Sequence, residues 1–133
     1  IKEFIKERNL ISKRYMNLLK NTQLQLPLIR KYNYSTFHLF VVRFKSKLIK
    51  NYSYDEIFNR IRKLGVGINL HYLPIHLQPY FRKLGFKQNY CVNAEQFSKE
   101  AISLPIYVGL KIKEQKKVVK ILTDLILKKK NEK

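Results

Sequence analysis

Cysteine is almost absent: Cys91 is the only one in 133 residues, which excludes an internal disulfide and any multi-cysteine zinc site. That scarcity fits an intracellular chain, although it does not fix a compartment. Carboxylates are also few. Nine Asp and Glu stand against 28 Lys and Arg, a formal net charge of +19 that predicts attraction to polyanions and self-repulsion at low salt. Of those cations 21 are lysine, scattered through every expected helix and strand, so the pattern reads as solvated lysine faces and not as a specific nucleic-acid-recognition element. Long apolar runs are missing as well: FHLFVV at 37–42 falls far short of the roughly 20 residues that cross a bilayer, and no transmembrane span is expected. The chain opens IKEFIKERNL, with no initiator methionine and no signal-peptide pattern, which raises the expectation of an excised or truncated portion of something larger.

Several chemistries are excluded by missing motifs. No G-x-G-x-x-G or Walker A sequence occurs, and GVGIN, the nearest approach, lacks the third glycine. No HExxH occurs, so a metal site is not expected. Cys91 lies in NYCVNA without a nucleophile turn and reads as semi-buried packing, while no carboxylate falls between residues 57 and 94 to orient a histidine locally.

What remains is a chain rich enough in apolar (45%) and aromatic (13%) residues to fold as one domain. Residues 3–20 predict an amphipathic helix with Phe4, Arg8, Ile11, Tyr15, Leu18 and Leu19 near one stripe, a stripe that needs a partner. Pro27 and KYNYS break the pattern. TFHLFVVRF at 36–44 predicts a strand, apolar on both alternating sets and therefore central, with His38 inside it. Ser53 and Glu56 form a capping box before a helix over 54–64 that ends at Gly65, and VGINL predicts a short strand. Pro79 suits the first turn of a short helix. Asn93 with Gln96 repeats the capping pattern, and ISLPIY at 102–107 reads as a short or edge strand because Pro105 removes a donor. A last helix over 111–128 carries Ile112, Gln115, Val119, Leu122 and Ile126 on one face before the polar tail. The sum is a small α+β domain, a short sheet covered by helices.

The chemistry-bearing groups gather in GINLHYLPIHLQPYFRKLGF at 67–86, where His71 and Tyr72 stand at the end of a strand, the ordinary place for binding groups in a layered fold. Each residue alone reads equally well as structural.

Three segments, STFHLFVVRF at 35–44, IFNRIRKLGVGINLHYLPIHLQPYFRKLGF at 57–86 and AEQFSKEAISLPIYVGLKIKEQKKVV at 94–119, together resemble the C-terminal small domain of the DegT/DnrJ family of pyridoxal-phosphate (PLP)-dependent sugar-nucleotide aminotransferases. The resemblance covers about residues 8–125, and GVGINLHYLPIHLQPYF is most similar to enzymes that aminate C4 of a UDP-linked 4-keto-6-deoxy-N-acetylhexosamine on the way to pseudaminic acid.

The resemblance implies the small domain of a fold-type-I transferase over 1–127, with helix 3–20 leading in from a large domain and a basic tail at 128–133. It implies a cytoplasmic enzyme, a homodimer when complete, that uses PLP, an amino donor and a UDP-sugar. The family's cofactor lysine, its pyridine-pairing aspartate and its stacking aromatic lie in the N-terminal domain, and no stretch here resembles those segments. No catalytic or cofactor-binding residue is therefore assigned, and no PLP binding or activity is expected of this chain alone. His71, Tyr72, Pro74 and His76 match the loop bordering the sugar-nucleotide pocket, and His38 in TFHLF matches a family histidine near the same region. Phe37 stands where many relatives carry Trp. The implied function is a substrate-pocket and domain-packing part of a UDP-4-keto-sugar aminotransferase, with the N-terminal domain supplied in cis or in trans. The alternative is a non-catalytic basic module or remnant that binds polyanions or a partner subunit.

Overall fold

The computed structural model describes residues 1–44 and 53–127; the basic connection at 45–52 and the tail at 128–133 lie outside the described residues. The elements are α1 (Lys2–Leu19), β1 (Phe40–Arg43), α2 (Tyr54–Lys63), β2 (Asn69–Leu70), a 3-10 turn (Ile75–Leu77), α3 (Pro79–Lys83), α4 (Val92–Glu100), β3 (Ala101–Leu104) and α5 (Ile112–Leu127). This is the small α+β architecture expected, with helices around a short sheet.

The sheet has the order β1-β3-β2, and β3 runs antiparallel to both neighbours. All four β3 residues are buried, as a strand paired on both edges and covered on both faces requires. Of the two readings of the 102–107 segment the short strand holds and the edge position does not: β3 is four residues long and central, because Pro105 follows the ladder and does not interrupt it. Its carbonyl is used instead by the Tyr15 hydroxyl, which donates to it at 3.0 Å. The FVVR strand, expected to be central, lies at the edge of the sheet and is flanked on its outer side, among the described residues, by an isolated bridge at Gln25.

That strand is also shorter than its apolar run. Ser35 Oγ accepts from the Phe37 amide at 3.1 Å, and Phe37 takes φ of 46°, so the chain turns before pairing begins. His38 therefore sits in an exposed bend outside the strand.

Around the sheet the core gathers Tyr15, Leu19, Phe40, Phe44, Ile61, Ile68, Ile102 and Leu122, all nearly or fully buried. The α1 stripe finds most of its cover within the chain. Ile11 and Tyr15 are buried, whereas Phe4 and Leu18 remain 59% and 39% exposed. The partner that the stripe needs is thus supplied within the chain at Ile11, Tyr15 and Leu19, and not at Phe4 and Leu18. Gln115, fully buried on α5, ties the two helices by accepting from Arg14 Nη1 at 3.2 Å and donating to the Ile11 carbonyl at 3.0 Å.

The Ser53/Glu56 capping box forms as expected, and Gly65 ends that helix with φ of 77°, a conformation favouring glycine. Tyr54 at its start donates to the Ala101 carbonyl, and burial, with Asp55 adding to it, pushes the phenol up to about 12. The second expected cap does not form. α4 starts at Val92 with Cys91 as its N-cap and no side-chain cap, placing Asn93 within the helix. Gln96 turns forward to Glu100 at 2.9 Å, and no capping interaction back to Asn93 forms.

Replacing Tyr15 with Phe leaves the Pro105 carbonyl without its donor in the core while barely changing volume. Urea unfolding of Tyr15→Phe should show a loss of about 1–3 kcal/mol; an unchanged midpoint would contradict this role.

Candidate functional site

Beyond β2 the chain leaves the sheet as His71-Tyr72-Leu73-Pro74, makes the 3-10 turn and α3, and returns through a loop into α4. These segments enclose an open groove of about 640 Å³ whose walls include His71, Tyr72, Pro74, His76, Phe81 and Phe97. Its apolar lining follows from aromatic packing: Phe81 and Phe86 meet edge to face with centroids 5.9 Å apart, and Phe86 meets Tyr90 at 6.1 Å.

Four expected site residues are brought together here, in different roles. Tyr72 is 80% exposed and takes φ of 21°, an uncommon conformation for a bulky side chain. His71 is half-buried, and desolvation lowers its pKa. Its Nε2 is buried without a hydrogen-bond partner among the described residues. His76, in contrast, is committed: its Nε2 lies 2.8 Å from Glu95 Oε1, with both side chains buried. Pro74 sets the entry to the 3-10 turn as its N-cap.

His38 is not brought into this groove. β1 and β2 run parallel to each other on either side of β3, with Phe40 opposite Leu104 and Leu70 opposite Ile102. A residue preceding β1 and a residue following β2 therefore lie at opposite ends of the sheet. His38 stands beside Arg8, Nη1 to Nδ1 3.3 Å, on the exposed surface.

Two anchors escaped the sequence reading. Glu95 lies one residue beyond the stretch found empty of carboxylates, and it does orient a histidine. Its Oε1 also accepts from the Asn89 amide at 2.7 Å, so one side chain joins α4, the preceding loop and the 3-10 turn. The His76 bond, opposed by desolvation and aided by the Asn89 and Cys91 amides, holds the Glu95 carboxyl below its ordinary value. The second anchor is Arg43, at the β1 end that faces α4. Its Nη2 donates to Glu100 Oε2 at 2.7 Å, and its guanidinium lies over Phe97. The available signal was scarcity: Glu95 and Glu100 are the only acids between Glu56 and Glu114.

A model of the DegT/DnrJ/EryC1/StrS aminotransferase family matches residues 1–123. The chain belongs to this family. It is 34% identical over 92 residues to the Pleiotropic regulatory protein of Geobacillus stearothermophilus, covering 68% of this chain and 23% of that protein. The fold matches Spr1654 from Streptococcus pneumoniae in its PLP-form, with TM-score 0.85 and 21% identity over 96% of this chain and 32% of the other. It also matches Helicobacter pylori PseC, an aminotransferase involved in pseudaminic acid biosynthesis, with TM-score 0.84 and 19% identity over 96% of this chain and 34% of the other. The chain thus spans between about a quarter and a third of the length of these DegT/DnrJ relatives.

The groove does not fit the family's PLP. Among the described residues no lysine, arginine or carboxylate lines it, so those residues offer neither an amine for the aldehyde, nor cations for the phosphate, nor a partner for the pyridine nitrogen. Among the described residues no cluster of His, Cys, Asp and Glu could hold a metal ion, and no helix is long and apolar enough to cross a membrane.

Because the Glu95 carboxyl is held low, its contribution to stability is present above the ordinary carboxylate value and is lost as pH falls through the lowered one. Glu95→Gln should therefore melt below the parent at neutral pH, with the gap closing as both are acidified. A gap that stays constant from neutral to acidic pH would contradict the charged clamp.

Proposed function

We propose that this domain forms one wall of the sugar-nucleotide pocket of a PLP-dependent aminotransferase. The substrate we assign is a UDP-linked 4-keto-6-deoxy-N-acetylhexosamine, converted to its 4-amino sugar as in pseudaminic acid biosynthesis. The cofactor is held by an N-terminal aminotransferase domain, in cis or in trans, within a homodimer. The observation that carries this reading is the pairing of a buried imidazole nitrogen on His71, without a partner among the described residues, with an apolar groove, in a member of this family. A buried polar atom without a partner raises the energy of the empty site, and a substrate hydroxyl or carbonyl placed there recovers that energy.

The residues divide the work accordingly. His71 offers Nε2, and the exposed Tyr72 offers its phenol beside it. His76 acts through its bond to Glu95, which fixes the groove floor and wall relative to α4. Phe81 and Phe97 exclude water from around these contacts. His38 enters this proposal as a residue at the far end of the same sheet, whose contact with substrate would require a surface beyond the groove. Electron withdrawal from the substrate amine or ketone is PLP chemistry, and no step of it is assigned to these side chains.

Two outcomes follow. The 133-residue chain, given PLP, an amino donor and the UDP-4-keto sugar, should show no turnover above free cofactor, since no lysine among the described groove residues can hold PLP; clear turnover would overturn the division of labour. Joined to the cofactor-bearing domain, His71→Ala or Tyr72→Phe should lower kcat/KM by roughly 5-fold to 150-fold, mainly through KM, the size of a hydrogen bond worth about 1–3 kcal/mol. PLP absorbance should be unchanged. A lower melting temperature with unaltered sugar-nucleotide affinity would assign these residues to loop structure alone.

A further inference from the structure

We propose that Arg43 is a positioning residue: stacked on Phe97 and tied to Glu100, it fixes the orientation of the His71 imidazole at the groove. The significance of that orientation for substrate rests on the groove being the sugar-nucleotide wall; the positioning itself does not.

The His71 ring needs such support. Its Nε2 has no hydrogen-bond partner among the described residues, so no polar anchor at that atom selects its rotamer. Two rings approach it, Tyr72 at 6.0 Å and Phe97 at 6.5 Å between centroids. Tyr72 is its chain neighbour and 80% exposed, which makes it a poor brace. Phe97 is the braced one, because the Arg43 guanidinium lies 5.3 Å from its centroid.

Arg43 is itself held more firmly than a typical surface arginine. Its backbone is in register with Ala101 on β3, and on the opposite edge it exchanges both hydrogen bonds with Gln25, each 3.0 Å. Its side chain donates to Glu100 Oε2 at 2.7 Å, and Glu100 Oε1 accepts from Gln96 Nε2 at 2.9 Å, so the acceptor is fixed too. The Arg43 Nε is buried with no hydrogen-bond partner among the described residues, while the guanidinium plane lies over Phe97 and its Nη2 donates to Glu100. The chain of contacts runs from the sheet through a rigid guanidinium and an aromatic ring to the imidazole, all at the sheet end where β2 delivers His71.

Arg43→Lys separates charge from geometry, since lysine keeps a cation for Glu100 but has no planar face to stack. With histidine and phenylalanine rings isotopically labelled in the 133-residue chain, the parent should show cross-relaxation between the His71 and Phe97 ring protons and one narrow set of His71 ring signals. Arg43→Lys should at least halve that cross-relaxation and shift or broaden the His71 signals. Amide signals of α1 and α5 and the unfolding midpoint should stay in place. Glu100→Gln, which loosens Arg43 without touching either ring, should act in the same direction and serves if the lysine variant fails to fold. Parent-like His71 and Phe97 ring signals in a folded variant overturn the proposal, as does a change that spreads equally through α1 and α5. In the protein carrying the cofactor domain, Arg43→Lys should raise the sugar-nucleotide KM about 5-fold with kcat within about 2-fold. Altered ring signals with an unaltered KM would uphold the positioning and overturn the reading of the groove.

Discussion

The pairing of β3 with both of its neighbours is the constraint on which the arrangement depends. A four-residue strand can serve two edges only if it is buried throughout, and the sequence AISL meets that demand with small or branched side chains that fill both faces. Because both partners run antiparallel to it, they run parallel to each other, and their C-terminal ends emerge on the same side. Arg43 and His71 are thereby neighbours of α4, which itself feeds directly into β3. The groove is in this sense a product of strand order: three segments distant in sequence converge because one short ladder aligns them.

The clamp at Glu95 depends on that convergence. A hydrogen-bonded carboxylate between the 3-10 turn and a helix stabilises only if both arrive already placed, since each free segment would otherwise lose its conformational freedom to form a single bond. Here α4 is fixed at its C-terminal end by β3, and the 3-10 turn by Pro74 and the short connection from β2. The carboxylate joins two elements whose positions are largely set. It can therefore govern the shape of the groove without being the main source of the domain's stability, which lies in the apolar core around Tyr15, Phe40 and Ile102.

Local patterns in the sequence were legible where one physical rule dominates. The Ser53/Glu56 box, the glycine stop at 65 and Pro79 in a first turn followed from backbone hydrogen bonding, and the α5 face followed from helical period at Gln115 and Leu122, whereas Ile112 at its start is 53% exposed. The errors share a cause, which is that tertiary pairing decided between local options. TFHLFVVRF has strand composition throughout, yet Ser35 captures the Phe37 amide and only four residues reach the ladder. Asn93 is a good cap by type, but α4 begins two residues earlier, with Cys91 as its N-cap, and Glu95 in its first turn bonds His76. His71, Tyr72, Pro74 and His76 were found together because they are contiguous. Glu95, Arg43 and Phe97 were missed because they come to the groove only through the fold, and His38 was grouped with the loop residues through the family resemblance of TFHLF, whereas the strand order places it at the other end of the sheet.

The distribution of charge adds a last constraint. In a chain of formal charge +19, an uncommitted carboxylate beside the groove would be open to capture by any of the surrounding lysines. The two acids on α4 avoid this. Glu95 is occupied by His76 and the Asn89 amide, and Glu100 by Arg43 and Gln96, with each side chain almost wholly buried. Their negative charge is spent inside the scaffold, on bonds that set geometry. The groove thus presents aromatic surface and a buried His71 nitrogen without a partner among the described residues, within the positive long-range field of the chain's net charge.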